Sequence, residues 1–147
     1  MLWLATPSRK GIRKDRWTRH MKTITTWLRI AQRYNVYYFV VGPHNNTWSE
    51  PEIRHMVSDT EGFMRYYSLC QFGYTVNPLP NNMMSSSRVV CYTNSPISSR
   101  TCKCPPHIQH REDWSDKSTQ SVAPGQKREA IIKLIVAHIR GQLMDLP

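Results

Sequence analysis

The hydrophobic positions of this chain recur at two spacings, one typical of helices and the other of strands. In residues 14–34 they return every three or four positions, which predicts an amphipathic helix. The predicted buried face of this helix carries Trp17, Met21, Ile24, Leu28 and Ala31. A second amphipathic helix is predicted over 126–144. Its apolar face carries Ile132, Ile135, Ile139 and Leu143.

Shorter apolar segments predict strands at 2–5, 36–41, 64–71 and 88–93. The second of them, VYYFVV, is β-branched or aromatic at every position, which is typical of a strand covered on both faces in a parallel sheet. The order strand, helix, strand over the first 41 residues therefore predicts a βαβ unit. The last two strands are predicted to pair as neighbours.

Together these elements predict a single α/β domain over 1–147, in which helices flank a short, mostly parallel sheet. Residues 1–95 form the predicted core. A Cys/His-rich and polar loop follows at 96–125, and a C-terminal helix follows at 126–145. A short helix after Pro51 is also predicted, because Ser49 and Glu52 have the spacing of a capping box.

The net charge of the chain indicates which class of partner it binds. The chain has 20 lysines and arginines against 10 acidic residues, a formal charge of +10, which is typical of proteins that bind a polyanion. Within 9–22, Asp15 is the only acid. We therefore predict that DNA or RNA phosphates bind there, with an inert basic surface as the alternative. The predicted contacts are Arg9, Lys10, Arg13, Lys14, Arg16, Arg19 and Lys22.

The segment CKCPPHIQH concentrates thiols and imidazoles, the ligands that Zn²⁺ prefers in structural sites. The sequence therefore predicts a zinc site in this segment. The predicted ligands are Cys102, Cys104, His107 and His110. Because their spacing is tighter than that of an ordinary zinc finger, Cys70 or Cys91 is an alternative ligand. A loop that holds no metal is the alternative to the whole site.

The order of several short motifs resembles that of C5-cytosine methyltransferases, in which a strand leads to a Pro-Cys loop, the next to a Glu-Asn turn, and an Arg-bearing strand follows a Phe-Gly pair. The matching segments here are Thr6-Pro7-Ser8, Val41 to Asn45, Phe72-Gly73 and Arg88-Val89-Val90. The chain also resembles the degenerate methyltransferase-like segments of viral and mobile-element polyproteins. That likeness is carried by residues 43–48, 70–73 and 102–110.

The resemblance implies a truncated, Rossmann-like methyltransferase fold whose chemistry has been lost. The reaction needs a thiolate nucleophile and a nearby carboxylic acid, whereas Ser8 stands at the thiol position and Gly42 or Pro43 at the acid position. The glycine-rich turn that would hold S-adenosylmethionine is missing, unless a partner protein supplies the cofactor-binding half. Candidate residues of the substrate pocket are Ser8, His44, Asn45 and Arg88.

The favoured interpretation is a basic, nucleic-acid-binding, methyltransferase-like domain of viral or mobile-element origin, catalytically degenerate, with a zinc site. One alternative is an active or partner-completed nucleic-acid methyltransferase that uses S-adenosylmethionine. Another is a basic structural subunit of a ribonucleoprotein or capsid. No membrane partner is expected, because no apolar stretch approaches ~18 residues. The first residues lack the pattern of a secretory signal, so an intracellular, non-secreted protein is expected.

Overall fold

The computed structural model describes residues 2–3, 11–73, 84–111 and 124–146, with side chains described within 14–73, 84–110 and 129–146. Its helices are α1 (Gly11–Arg33), α2 (Pro51–Asp59) and α3 (Pro124–Met144). Its strands are β1 (Leu2–Trp3), β2 (Phe39–Pro43), β3 (Phe63–Ser68), β4 (Met84–Ser85), β5 (Arg88–Thr93) and β6 (His110–Arg111). The first of two compact units comprises Met1–Arg65 and Val89–Ser95, and the second comprises Tyr66–Arg88 and Pro96–Pro147.

Helix α1 confirms the predicted amphipathic helix and shows how it ends. Four of its five predicted apolar side chains are buried, and the fifth, Ala31, is partly buried against them. The helix ends in a Schellman motif. Asn35 has a left-handed conformation with φ 58°, and the Val36 N–H donates to the Ala31 carbonyl over 2.8 Å.

The core of the first unit joins α1 to α2, β2 and β5. Side chains from the other elements that pack with the α1 face are Tyr38, Val40, Ile53, Met56 and Tyr92. Each large apolar side chain buried in this way contributes about 1.5–3 kcal/mol relative to leaving it exposed. Burial of this stripe therefore fixes the rotation of α1 about its own axis.

The sheet has the strand order β1-β2-β5-β3, which confirms the predicted neighbours β3 and β5. β1 lies parallel to β2, so the predicted βαβ unit is present. However, β2 and β5 run antiparallel from the pair Phe39–Thr93 to the pair Pro43–Val89. The predicted mostly parallel, Rossmann-like sheet is therefore wrong.

Burial on both faces of β2 explains why its sequence suggested a parallel strand. Val40 and Val41 are both inaccessible to solvent, although consecutive side chains of a strand point to opposite faces. A continuous apolar run follows from that burial and does not depend on the direction of the neighbouring strand. Here the neighbour β5 enters between β2 and β3 in the reverse direction.

Helix α2 forms where a short helix was predicted, but its N-terminus differs from the predicted capping box. The N-cap residue is Glu50, whose side chain makes no capping hydrogen bond. The Ser49 hydroxyl donates to the Asn46 carbonyl over 2.8 Å, and Glu52 Oε1 accepts from the Thr18 hydroxyl over 2.9 Å. The capping-box prediction is wrong because the tertiary contact with α1 takes the Glu52 carboxylate.

In the second unit, α3 is held by an aromatic contact. The His138 ring meets Tyr67 and Phe72 edge-on, with centroid distances of 5.4 and 5.3 Å. Burial lowers the pKa of His138, and the nearby Arg100 charge lowers it further, so the ring packs as a neutral imidazole. The buried stripe of α3 is Ile131, Ile135 and Ile139, one residue away from the predicted start at Ile132. Among the described residues, no helix has the length and apolar character needed to cross a membrane.

In the first unit, Gly62 packs tightly against two tyrosines just after α2. The Gly62 N–H donates to the Tyr92 hydroxyl over 2.9 Å, and that hydroxyl lies 2.6 Å from the Thr60 hydroxyl. A Cβ atom at position 62 would lie 2.5 Å from the Tyr92 ring and 2.9 Å from the Tyr38 hydroxyl. Because Tyr92 is fully buried, its ring has no room to retreat.

We expect Gly62→Ala to lower the free energy of unfolding by about 1–3 kcal/mol, because the added methyl group overpacks this contact. Gly141→Ala is the matched control, since a Cβ atom at that position of α3 meets nothing within 4 Å. The control should raise stability by about 0.4–1 kcal/mol by restricting the unfolded chain. Urea denaturation of the two variants measures both changes, and a neutral Gly62→Ala would contradict the packing described.

Candidate metal centre

Three segments of the second unit bring four potential metal ligands together. Cys70 comes from the 3₁₀ turn Leu69–Phe72, Cys102 and Cys104 from the loop after Arg100, and His110 from β6. The three sulfur atoms and one histidine nitrogen all lie within 4.8 Å of one another. This Cys₃His cluster could hold a metal ion.

Two hydrogen bonds with Ser68, one through its backbone and one through its hydroxyl, position the cysteine loop beside the turn. The Ser68 N–H donates to the Arg100 carbonyl over 2.9 Å, and the Ser68 hydroxyl accepts from the Cys102 N–H over 3.0 Å. The turn itself ends at Gly73, whose φ of 74° is in the left-handed region and whose N–H donates to the Cys70 carbonyl over 3.2 Å. The turn and the loop are thereby fixed to adjacent parts of the chain.

His110 is positioned by a second, two-stranded sheet. β4 and β6 pair in parallel with Met84 opposite His110, and the Met84 N–H donates to the Gln109 carbonyl over 3.0 Å. His110 Nδ1 lies 3.1 Å from the Ile108 carbonyl oxygen. Because that oxygen can only accept, Nδ1 carries the proton and Nε2 presents its lone pair to the cysteines.

The distances between the ligand atoms would suit tetrahedral coordination of a metal ion if these atoms moved slightly closer together. Cys102 Sγ lies 3.6 Å from His110 Nε2. With metal–sulfur and metal–nitrogen bonds of about 2.3 and 2.0–2.1 Å, a tetrahedral site places these atoms about 3.6 Å apart and two sulfur atoms about 3.8 Å apart. The widest separation, up to 4.8 Å, would therefore have to close by about 1 Å.

The surroundings favour anionic sulfur at Cys102 and disfavour it at Cys104 in the absence of a metal ion. A backbone hydrogen bond from Cys104 holds the pKa of Cys102 below its ordinary value, and the Arg88 charge acts in the same direction. Desolvation and hydrogen bonding to Cys70 and Cys102 raise the pKa of Cys104 to about 11. The Gln71 side-chain amide donates to Cys70 at 3.6 Å and to Cys104 at 3.7 Å. Such donors stabilise thiolates around a bound ion.

The structure brings together three of the four predicted zinc ligands and adds a cysteine from elsewhere in the sequence. Cys102, Cys104 and His110 belong to the cluster, whereas His107 is exposed and outside it. Cys70 completes the set, as one of the two alternatives named from the sequence. The other alternative, Cys91, lies in the first unit, where burial raises its pKa to about 12.

Three of the four residues predicted to line a substrate pocket lie in the described part of the structure. Asn45 Oδ1 accepts from the Thr47 N–H over 3.0 Å and caps the 3₁₀ turn Asn46–Ser49, while the Trp48 indole N–H donates to the Pro43 carbonyl over 3.0 Å. His44 is exposed beside them, and Arg88 belongs to the second unit. Ser8 lies outside the described residues. Their role in catalysis stays a prediction.

Of the predicted phosphate contacts, those with described side chains are exposed on α1. They are Lys14, Arg16, Arg19 and Lys22. Arg13 lies in the first turns of α1, and only its backbone is described. Arg9 and Lys10 lie outside the described residues.

Comparison with protein-family models, curated proteins and solved structures gives no match to this chain. The resemblance to C5-cytosine methyltransferases therefore stays a prediction.

Substitution of the two histidines near the cluster tests which of them binds metal. We expect His110→Ala to lose tight metal binding, because of these two histidines it is His110 whose ring nitrogen lies among the sulfur atoms. His107→Ala should keep one bound ion per chain, since its side chain is exposed and outside the cluster. Metal content of the purified variants by mass spectrometry provides the readout. Equal loss in both variants, or loss only in His107→Ala, would refute the assignment.

Proposed function

We propose that this chain is a nucleic-acid-binding protein whose second unit is stabilised by a structural zinc ion. The observation that carries the proposal is the exposure of the α1 cations, which lie on successive turns of one helix. Side chains presented in this way can contact consecutive phosphates of a nucleic-acid backbone.

The charge distribution along α1 supports this surface. Arg29, nearer the end of the helix, is neutralised by Asp59, with Nη2 and Oδ2 2.8 Å apart. The earlier part of the helix carries Lys14, Arg16, Arg19 and Lys22 against the single acid Asp15. Phosphate contacts of this kind fix position without reading sequence, so we expect binding that is strong at low salt and indifferent to base order.

Zinc is the metal that best fits the cluster. Three thiolates and one imidazole form a soft ligand set, which selects against Mg²⁺ and Ca²⁺. Four protein ligands complete a tetrahedral shell and leave no open position for water or substrate, as is typical of structural rather than catalytic zinc. The ion would join the turn of Cys70 to the loop and strand that carry the other three ligands, about thirty residues further along the chain. Metal binding to such a site contributes directly to folding.

Neutralising two cations of α1 tests the nucleic-acid proposal. We expect the double variant Arg16→Gln/Arg19→Gln to bind a DNA duplex more weakly than the unmodified chain. Because each lost phosphate contact removes about 0.9 from the slope of log affinity against log salt, the slope should fall by about 1–2. Fluorescence anisotropy of a labelled duplex over a salt series measures both quantities.

The matched control for this experiment is Lys133→Gln/Arg140→Gln, which removes the same charge from exposed positions of α3. We expect the control to keep the salt slope of the unmodified chain. Equal weakening by both double variants would show that net charge alone is responsible. Absence of binding to both a duplex and a single strand at low salt would rule out the proposal.

Chelation tests the structural role of zinc through the reactivity of the thiols. We expect Cys102 and Cys104 to resist a thiol reagent in the zinc-bound protein and to react quickly after chelation. Cys91 should react last, upon unfolding, because it is fully buried and its pKa is about 12. Cys91→Ala is the control that should leave the chelation effect intact. Identical rates with and without chelator would contradict the zinc proposal.

A further inference from the structure

A row of exposed side chains runs along α1 beside its buried face. Its members recur every three or four residues and are all exposed, so they lie on one side of the helix. This row, which we call the α1 stripe, consists of Arg16, Arg19, Thr23, Trp27, Ile30 and Tyr34. It begins with two cations and ends with two aromatic rings.

The aromatic end of the α1 stripe is strongly exposed for side chains of this type. Trp27 and Tyr34 have 52% and 71% of their surface accessible, and the intervening Ile30 has 49%. Tyr34 follows the last helical residue, but its N–H still donates to the Ile30 carbonyl over 3.1 Å, so it continues the helix. The two residues are separated by about 10 Å along the helix axis, the length of about three stacked nucleotides.

We propose that the α1 stripe binds single-stranded nucleic acid, with Arg16 and Arg19 on phosphates and with bases stacked on Trp27 and Tyr34. This inference rests on the proposed function and specifies its ligand. Unpaired bases expose flat faces that stack on aromatic rings without regard to sequence, whereas a duplex hides those faces between base pairs. The rings would therefore add affinity for a single strand that the cations alone do not provide.

The composition of the α1 stripe favours nucleic acid over a second helix as its occupant. A coiled-coil partner requires apolar residues at every position of the seam over several turns. Here the first half of the seam is occupied by Arg16 and Arg19, whose charges would repel those of an identical parallel helix. The single acid of α1, Asp15, lies one turn before Arg19, so this side of the helix keeps a net positive charge. A polyanion with aromatic faces matches both halves of the stripe.

The experiment compares a single strand with a duplex of the same length, using Trp27→Ala and Tyr34→Ala in the full chain. Each substitution should weaken single-strand binding by about 5- to 150-fold, the usual effect of losing one stacked base. Duplex binding should change by less than about twofold. Trp27→Phe, which keeps a ring, should retain most of the single-strand affinity. Because both residues are exposed, the variants are expected to keep the fold, which circular dichroism verifies.

The outcomes separate this inference from the function on which it rests. The stacking inference fails if the aromatic substitutions leave single-strand binding unchanged, or if they weaken single-strand and duplex binding equally. In that case, duplex binding that is weakened by Arg16→Gln/Arg19→Gln would still support the broader proposal. If the unmodified chain binds neither ligand, both fail. If it sediments as a dimer that Trp27→Ala dissociates, with single-strand binding unaffected, the stripe is an interface between two copies.

Discussion

Burial of one face of α1 determines which of its side chains reach solvent, and the proposed function depends on that choice. Trp17, Met21 and Leu28 pack into the core of the first unit, so the helix cannot rotate without exposing them. One exposed side of the helix therefore presents Arg16, Arg19, Trp27 and Tyr34 together. The hydrophobic core and the proposed nucleic-acid surface are two consequences of the same helical periodicity.

The second unit relies on a different kind of constraint. Its strands β4 and β6 have only two residues each, too short to hold three chain segments in register by backbone pairing alone. The hydrogen bonds to Ser68 and the ring contacts of His138 provide part of the additional stabilisation that this unit needs. A metal ion at the Cys₃His cluster would supply the rest, because it joins the turn, the loop and β6 at one point.

The sequence predicted local features well and long-range ones poorly. Periodicity identified the face of α1 correctly, because a helix buries residues that are close in sequence. It could not give the direction of β5, since Val40 and Val41 are buried equally well beside a parallel or an antiparallel neighbour. Clustering in sequence predicted Cys102, Cys104 and His110, whereas Cys70 is brought to them by the fold, about thirty residues away along the chain. In the sequence, the only indication that Cys70 could be a ligand was that it is a cysteine.

The motifs that resemble a methyltransferase also have local structural uses in this fold. Asn45 caps a 3₁₀ turn, the Trp48 indole N–H closes that turn onto Pro43, and Gly73 ends the next turn with a positive φ. These are demands of backbone geometry, which any fold with turns at these positions would impose. Short motifs made of Pro, Asn and Gly therefore carry little information about sheet topology or chemistry. The inference about function rests instead on side chains that are not needed for the turns: the exposed cations and rings of α1, and the ligands of the cluster.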